Sequence, residues 1–200
     1  MPLAPGAVVL CGLVRPVEGP LVAALQRVVE VAPFRHMVTR SHRMSVAMTN
    51  CGTAGWVSDR TGYRYVACDP ESGRGWPPLP EVFGGLATQA AERAGFGGFA
   101  PAACLINRYE PGARLSLHQD KNEEDFGAPI LSVSLGLPAI FLFGGYRRSD
   151  RPLRVPLVHG DVVVWGGPAR LRYHGVMPLS DGHHPLLGAS RVNLSLRKAG

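Results

Sequence analysis

The chain has 200 residues, enough for one domain with a substantial core, and its 46% hydrophobic and 18% charged composition, without low-complexity tract or fixed-period repeat, excludes a disordered or solenoid protein. No run of eighteen apolar residues occurs and the N-terminus, MPLAPGAVVLCGLVRP, lacks an early basic residue, so neither a membrane span nor a signal peptide is expected and a cytoplasmic location follows. A formal charge of +6 favours a polyanionic partner such as nucleic acid, although nineteen of the 21 basic residues are arginines and an Arg-, Ala-, Gly- and Pro-rich chain also follows from GC-rich coding.

In chain order, Leu21 to Val31 (LVAALQRVVEV) carries apolar side chains at helical spacing, and Pro33 stops the run. Strand-like pieces follow at Met44 to Thr49 and Tyr63 to Ala67. A turn-rich stretch, DPESGRGWPPLP, leads into a second helix. Pro80 suits its first turn, Val82, Phe83, Leu86, Ala87 and Ala90 form its buried stripe, and Gly95 suits its C-terminal cap. From Ala103 the pattern is short strands parted by turn signals: ACLINRY, ARLSLHQ, ILSVSLG, AIFLFG, LRVPLV, DVVVW and RVNLSLRK. This spacing predicts a mainly β, α+β protein with a sandwich or jelly-roll core. No linker divides the halves, so one domain is expected, with residues from about 103 onward as core and the preceding half as a flanking layer and lid. Cys11, Cys51, Cys68 and Cys104 are scattered without a C-x-x-C pair, which reads as free thiols rather than a disulfide framework or zinc ribbon.

Within ARLSLHQ, alternation puts His118 on one face, and the same period carries Asp120 to that face. A distant third ligand, His174, would complete a 2-His-1-carboxylate face with open positions for co-substrate and oxygen, the arrangement of non-haem Fe(II) oxygenases. Taken singly, each of these residues has a plainer role as a strand-end or turn residue. A second H-x-D, His159-Gly160-Asp161, lies between strands. Asp161 reads as a turn residue and His159 as structural.

The last strand adds an independent signal. Val192, Leu194 and Leu196 alternate with Arg191, Asn193, Ser195 and Arg197. Two arginines and an asparagine on one face are costly to bury without partners, and a small dicarboxylate supplies them through parallel charge-assisted hydrogen bonds. Asn107 and Tyr109 share a face of CLINRY and can serve the same pocket. The plainer alternative is a solvated polar strand face.

At this point the residues resemble the AlkB family of oxidative nucleic-acid demethylases, close to its bacterial members, through MSVAMTNCG, CLINRYEPGARLSLHQDKNE, PILSVSLGLPAIFLFGG, HGDVVVWGG, YHG and RVNLSLR. The resemblance implies a double-stranded β-helix core with an N-terminal nucleotide-recognition lid. It implies Fe(II) held by His118, Asp120 and His174, with 2-oxoglutarate and oxygen as co-substrates. For 2-oxoglutarate it implies Arg191 at the distal carboxylate and Arg197 near the keto-acid end, assisted by Asn107, Tyr109 and Asn193. It implies Trp56 stacking on the damaged base near His118, Tyr63, Arg148 and Thr39 as lid or phosphate contacts, and Met48, Leu105 and Ser132 as pocket wall. The expected partner is methylated single- or double-stranded DNA, with RNA as a further polymer and no obligate protein partner, and the favoured lesions are N1-methyladenine and N3-methylcytosine. One departure stands out: Asn122 occupies a place where the family has an acidic residue near the base's exocyclic amine, and Glu123 is the neighbouring carboxylate that remains. Trp76 and Trp165 read as packing residues. Rival readings are an oxygenase acting on RNA, protein or a small molecule, a non-catalytic nucleic-acid binder, and a cupin-like protein.

Overall fold

The structure, a computed structural model, describes residues 1–123 and 125–198. In chain order the elements are β1 (Pro2–Ala4), β2 (Ala7–Leu10), α1 (Glu18–Val31), β3 (Arg35–Val38), β4 (Arg43–Gly52), β5 (Gly55–Asp59), β6 (Gly62–Val66) and α2 (Glu81–Arg93). Then come β7 (Ala103–Tyr109), β8 (Leu115–His118), β9 (Ile130–Gly136), β10 (Ala139–Phe143), β11 (Leu153–Leu157), β12 (Val162–Trp165), β13 (His174–Val176) and β14 (Arg191–Arg197).

Each helix forms where its apolar period finds a sheet to cover. α1 buries Leu21, Val22, Ala24, Leu25 and Val28, and it ends before Pro33, whose ring disfavours helical backbone in the residue ahead of it. α2 buries Phe83, Leu86, Ala87, Ala90 and Ala91, while Val82 is only partly covered. Pro80 is the residue before its first turn rather than within it. Gly95 ends the helix with φ +85°. Its N–H donates to Glu92 O at 3.0 Å and that of Phe96 to Ala91 O at 2.8 Å, the paired bonds of a Schellman cap.

Every strand pairing is antiparallel. Eight strands form one sheet in the order β1-β2-β12-β9-β14-β7-β4-β3, four form a second in the order β11-β10-β13-β8, and β5-β6 is a separate hairpin. The two larger sheets make the expected jelly roll. Val192, Leu194 and Leu196 turn to the helix-covered face of the large sheet, where they pack with Leu21, Phe83 and Leu86. The opposite face, toward the small sheet, is left for polar groups. Strands β1, β2, β3, β5 and β13 were not expected from local pattern. They are short, and β1 and β3 run along sheet edges.

Gly136 closes β9 at φ +83°, and a Cβ placed there would lie 2.3 Å from the carbonyl oxygen of Ser190. Gly136 is also the cross-strand partner of Arg191. Gly136→Ala is therefore expected to cost at least about 2 kcal/mol in urea denaturation, from left-handed backbone strain and a backbone clash together.

Candidate metal centre and co-substrate pocket

His118 ends β8 and His174 begins β13, and the two are direct cross-strand partners in the small sheet. That register, rather than any spacing along the chain, turns both imidazoles the same way, with ring centroids 4.3 Å apart. Asp120 lies two residues beyond the end of β8, so strand alternation does not carry its carboxylate to the site. The post-strand segment does. Asp120 O accepts from Arg170 Nη1 at 2.7 Å, and Asp120 Oδ2 accepts from Arg197 Nη2 at 2.7 Å. His118 Nε2 is then 3.7 Å from Oδ1, and His174 Nε2 is 3.5 Å from Oδ2. One ligand atom from each of the three residues lies within 4.8 Å of the others.

The donor set fits a divalent iron. Nδ1 of His118 sits 2.9 Å from Ser116 O, and Nδ1 of His174 sits 3.1 Å from Arg172 O. A carbonyl only accepts, so both Nδ1 atoms carry a proton and both Nε2 atoms face the shared point. Burial, reinforced by the neighbouring His174, lowers the His118 imidazole to about 4, which keeps it neutral. For Asp120, burial pushes upward, but Arg197 and then His174 outweigh it and hold the carboxyl well below the ordinary range. Two imidazoles and one ionised carboxylate on one side of a point are the ligands of a facial triad.

Four strands of the large sheet supply the floor, and their register explains its composition. Met48, Asn107, Asn193 and Ser134 are successive partners across β4, β7, β14 and β9, and Asn50, Leu105, Ser195 and Ser132 form the next row. Asn193 Nδ2 donates to Ser132 Oγ at 2.7 Å and to Val133 O at 3.0 Å, and Ser195 Oγ donates to Asn193 Oδ1 at 2.9 Å. The polar face of β14 is buried throughout, which excludes the solvated-strand alternative.

Its two arginines differ. Arg197 is paired, with Asp120 and with Glu123 at 3.4 Å, and although burial works against its charge, Asp120 and its other acidic neighbours raise its affinity for the proton. Arg191 is 2% exposed, and no carboxylate lies within salt-bridge reach of it among the described residues. It donates to Ser134 Oγ at 2.8 Å and to Leu137 O at 3.4 Å, while its Nε has no partner. Burial lowers it to about 10, so it is still charged at neutral pH. Burial likewise pushes the neighbouring Tyr109 phenol up to about 12, leaving a neutral hydroxyl. A buried guanidinium without a counter-ion is a costly arrangement that an arriving carboxylate relieves.

A cavity of about 550 Å³ joins the triad to both arginines. Met48, Leu105, Asn107, Tyr109, Ser132 and Asn193 line its depth, and Thr39, Trp56, Tyr63, Asn122 and Arg148 also reach it. Trp56 on β5 stacks on Tyr63 of β6 at 5.4 Å and 17°. The strand is held in place by Asn50, whose side-chain amide both donates to Trp56 O and accepts from Trp56 N–H at 3.0 Å.

Glu123 does not join the others. Its side chain is 1% exposed, and its oxygens accept from Tyr65 Oη at 2.6 Å and Arg170 Nη2 at 3.0 Å, besides facing Arg197. A buried arginine pair and the Tyr65 hydroxyl claim the carboxylate, and Glu123 is not among the residues lining the cavity. His159 and Asp161 are structural, as read. His159 Nδ1 accepts from Gly136 N–H, and the Asp161 carboxylate accepts from Gly12 and Val158 N–H.

Sequence reasoning missed Ser134, Tyr65 and Arg170, and it took Trp165 for packing alone. The Trp165 ring lies 4.9 Å from that of His174 and lines the cavity, while Trp76 packs under Gly55 and donates to Val66 O. Nothing local in the sequence marks the missed residues: the need of Arg170 for a carboxylate partner follows from its burial, which the fold sets.

A His-Asp-His cluster able to hold a metal, beside an unneutralised arginine on a jelly roll, defines a class of oxygenase. Residues 6–197 match the model of the 2OG-Fe(II) oxygenase superfamily, and the chain belongs to that family. It is an Fe(II)- and 2-oxoglutarate-dependent dioxygenase. It is 55% identical over 199 residues to the alpha-ketoglutarate-dependent dioxygenase AlkB of Salmonella typhimurium, covering 99% of this chain and 92% of that one. Over 131 residues it is 36% identical to the nucleic acid dioxygenase ALKBH1 of Mus musculus, covering 64% of this chain and 33% of that one. The solved structure of OsALKBH1 superposes with a TM-score of 0.87 at 27% identity, covering 99% of this chain and all of that one. No helix among the described residues is long and apolar enough to cross a membrane.

Proposed function

We propose that this enzyme removes N-alkyl groups from damaged nucleobases, N1-methyladenine and N3-methylcytosine first among them, in single- or double-stranded DNA and also in RNA. The observation that carries the reading is one cavity shared by the His118–Asp120–His174 triad, the unpaired Arg191 and the Trp56–Tyr63 stack. A base inside a duplex is out of reach, so the enzyme must extrude it and hold it between flat side chains. Trp56 is the flat surface and His118 the opposing edge. The outer residues Thr39, Tyr63 and Arg148 suit the flanking phosphates. On this reading the chain is one domain, with residues to about 102 forming the outer layer and lid and the rest the catalytic core. Its free cysteines fit a reducing cytoplasm.

His118, Asp120 and His174 would hold the iron, and Arg191 and Arg197 the two carboxylates of 2-oxoglutarate, with Asn107, Tyr109 and Asn193 shaping the space between. Bound iron, oxygen and 2-oxoglutarate supply the oxidation that converts the methyl carbon to a hydroxymethyl group, with succinate and carbon dioxide as co-products. The protein's own contribution is placement. Trp56 orients the ring, Met48 and Leu105 exclude water, and Asp120 stays ionised through Arg197. Hydroxymethyl loss then leaves formaldehyde and the repaired base.

The test is aerobic incubation with Fe(II), 2-oxoglutarate and an oligonucleotide bearing either lesion. Formaldehyde release that disappears in His118→Ala supports repair. Succinate formation indifferent to the oligonucleotide assigns another substrate, and DNA binding without either product assigns a non-catalytic binder. Trp56→Ala is expected to raise KM for the oligonucleotide about ten- to a hundredfold, the value of one lost base–aromatic stack, with oligonucleotide-free succinate formation unchanged.

A further inference from the structure

Tyr65 is the cross-strand partner of Trp56 in the β5–β6 hairpin, so the two side chains leave the same face. Trp56 and Tyr63 point to the cavity. Tyr65 instead runs inward, where its hydroxyl donates to Glu123 Oε1 at 2.6 Å and accepts from Arg197 Nη1 at 3.1 Å. Arg197 uses its other terminal nitrogen on the Asp120 carboxylate at 2.7 Å. A phenol has one proton to give, and here it goes to the carboxylate while the guanidinium fills a lone pair. The remaining ties from the hairpin to the body end elsewhere. Ser58 Oγ donates to Val38 O at 2.6 Å, Asn50 grips the Trp56 backbone, and Trp76 Nε1 donates to Val66 O. Among the described residues, Tyr65 is therefore the hairpin's one hydrogen-bond path to the metal centre.

We propose that Tyr65 is a positioning residue that couples the base-stacking hairpin to Arg197, so that filling the metal and 2-oxoglutarate site closes the hairpin. The inference rests on the reading of the cavity given above. Lifting the hairpin breaks both hydroxyl bonds and wets Glu123 and Arg197, which are 5% exposed each. Among the described residues Arg197 Nε has no partner, so a carboxylate arriving there gains a donor and fixes the guanidinium plane. A guanidinium already fixed loses less freedom when it also holds Tyr65, and by linkage a closed hairpin tightens 2-oxoglutarate by the same factor.

The experiment is amide hydrogen exchange of segment 55–66 by mass spectrometry, without ligands and with saturating Mn(II) and 2-oxoglutarate. It compares the wild type, Tyr65→Phe and Ser58→Ala. Wild-type exchange in the hairpin is expected to slow about tenfold when the site fills, and that of Tyr65→Phe by no more than about twofold. Ser58→Ala loses an anchor unrelated to the metal, so its hairpin exchanges faster in both states yet keeps the wild-type ratio. A purely structural role for Tyr65 would give the pattern of Ser58→Ala. Equal slowing in Tyr65→Phe and wild type, or none in wild type, overturns the coupling. Neither result bears on repair, which formaldehyde release judges separately.

Discussion

Asp120→Ala is expected to lower formaldehyde and succinate formation by roughly a thousandfold or more, equivalent to about 4 kcal/mol of lost transition-state stabilisation. Two imidazoles without the carboxylate leave one ligand position empty and the charge of the site uncompensated. The same change strips Arg197 of its nearest partner, at 2.7 Å, and leaves it with Glu123 at 3.4 Å. The apoprotein should therefore also lose about 2–3 kcal/mol, less than the ~3–5 kcal/mol of a buried pair broken outright, because one carboxylate stays. Asp120→Asn keeps the shape and an oxygen to accept from Arg197 Nη2 but not the charge, so metal affinity falls while the apoprotein loses less stability than in Asp120→Ala. Calorimetric titration with Mn(II) and succinate quantification would check this. An Asp120→Ala enzyme keeping a tenth of its activity would remove the triad from the mechanism.

The second large effect concerns Arg191, and it has opposite signs in two measurements. Arg191→Met should raise KM for 2-oxoglutarate about a hundredfold or more, since removing one member of a buried charge-assisted pair costs about 2–5 kcal/mol. Without co-substrate, however, the wild-type guanidinium is buried with only Ser134 Oγ and Leu137 O as partners. Replacing an unpaired buried charge by an apolar side chain of similar length is neutral or stabilising. The apoprotein Tm of Arg191→Met is thus expected to equal or exceed that of the wild type, while the Tm rise on adding 2-oxoglutarate disappears. Thermal scans with and without the diacid read both. A destabilised apoprotein with normal co-substrate affinity would mean that Arg191 is a structural group.

Charge chemistry of this kind is legible in the chain itself. The alternation of Arg191, Asn193, Ser195 and Arg197 against Val192, Leu194 and Leu196 is local, and period 2 allows only one reading of which side chains travel together. The helices were equally plain, because an apolar stripe at Leu21, Leu25 and Val28 or at Phe83, Leu86 and Ala90 has nowhere to go but a core. The short edge strands β1 and β3 were not, since a few residues at a sheet margin carry no period long enough to see.

By itself, then, the sequence determined the jelly-roll class, the faces of its strands, and the residue types gathered for iron and a diacid. Tertiary structure alone decided how they meet. His118 and His174, fifty-six positions apart, face one point because β8 and β13 pair in register. Asp120 joins them through Arg170 and Arg197, not through strand geometry. Glu123, adjacent to the pocket in sequence, is taken from it by a buried arginine whose desolvated charge needs that carboxylate more than the cavity does. Periodicity fixes the direction of a side chain. Which partner it finds is set by long-range pairing and by the demand that buried charges be compensated.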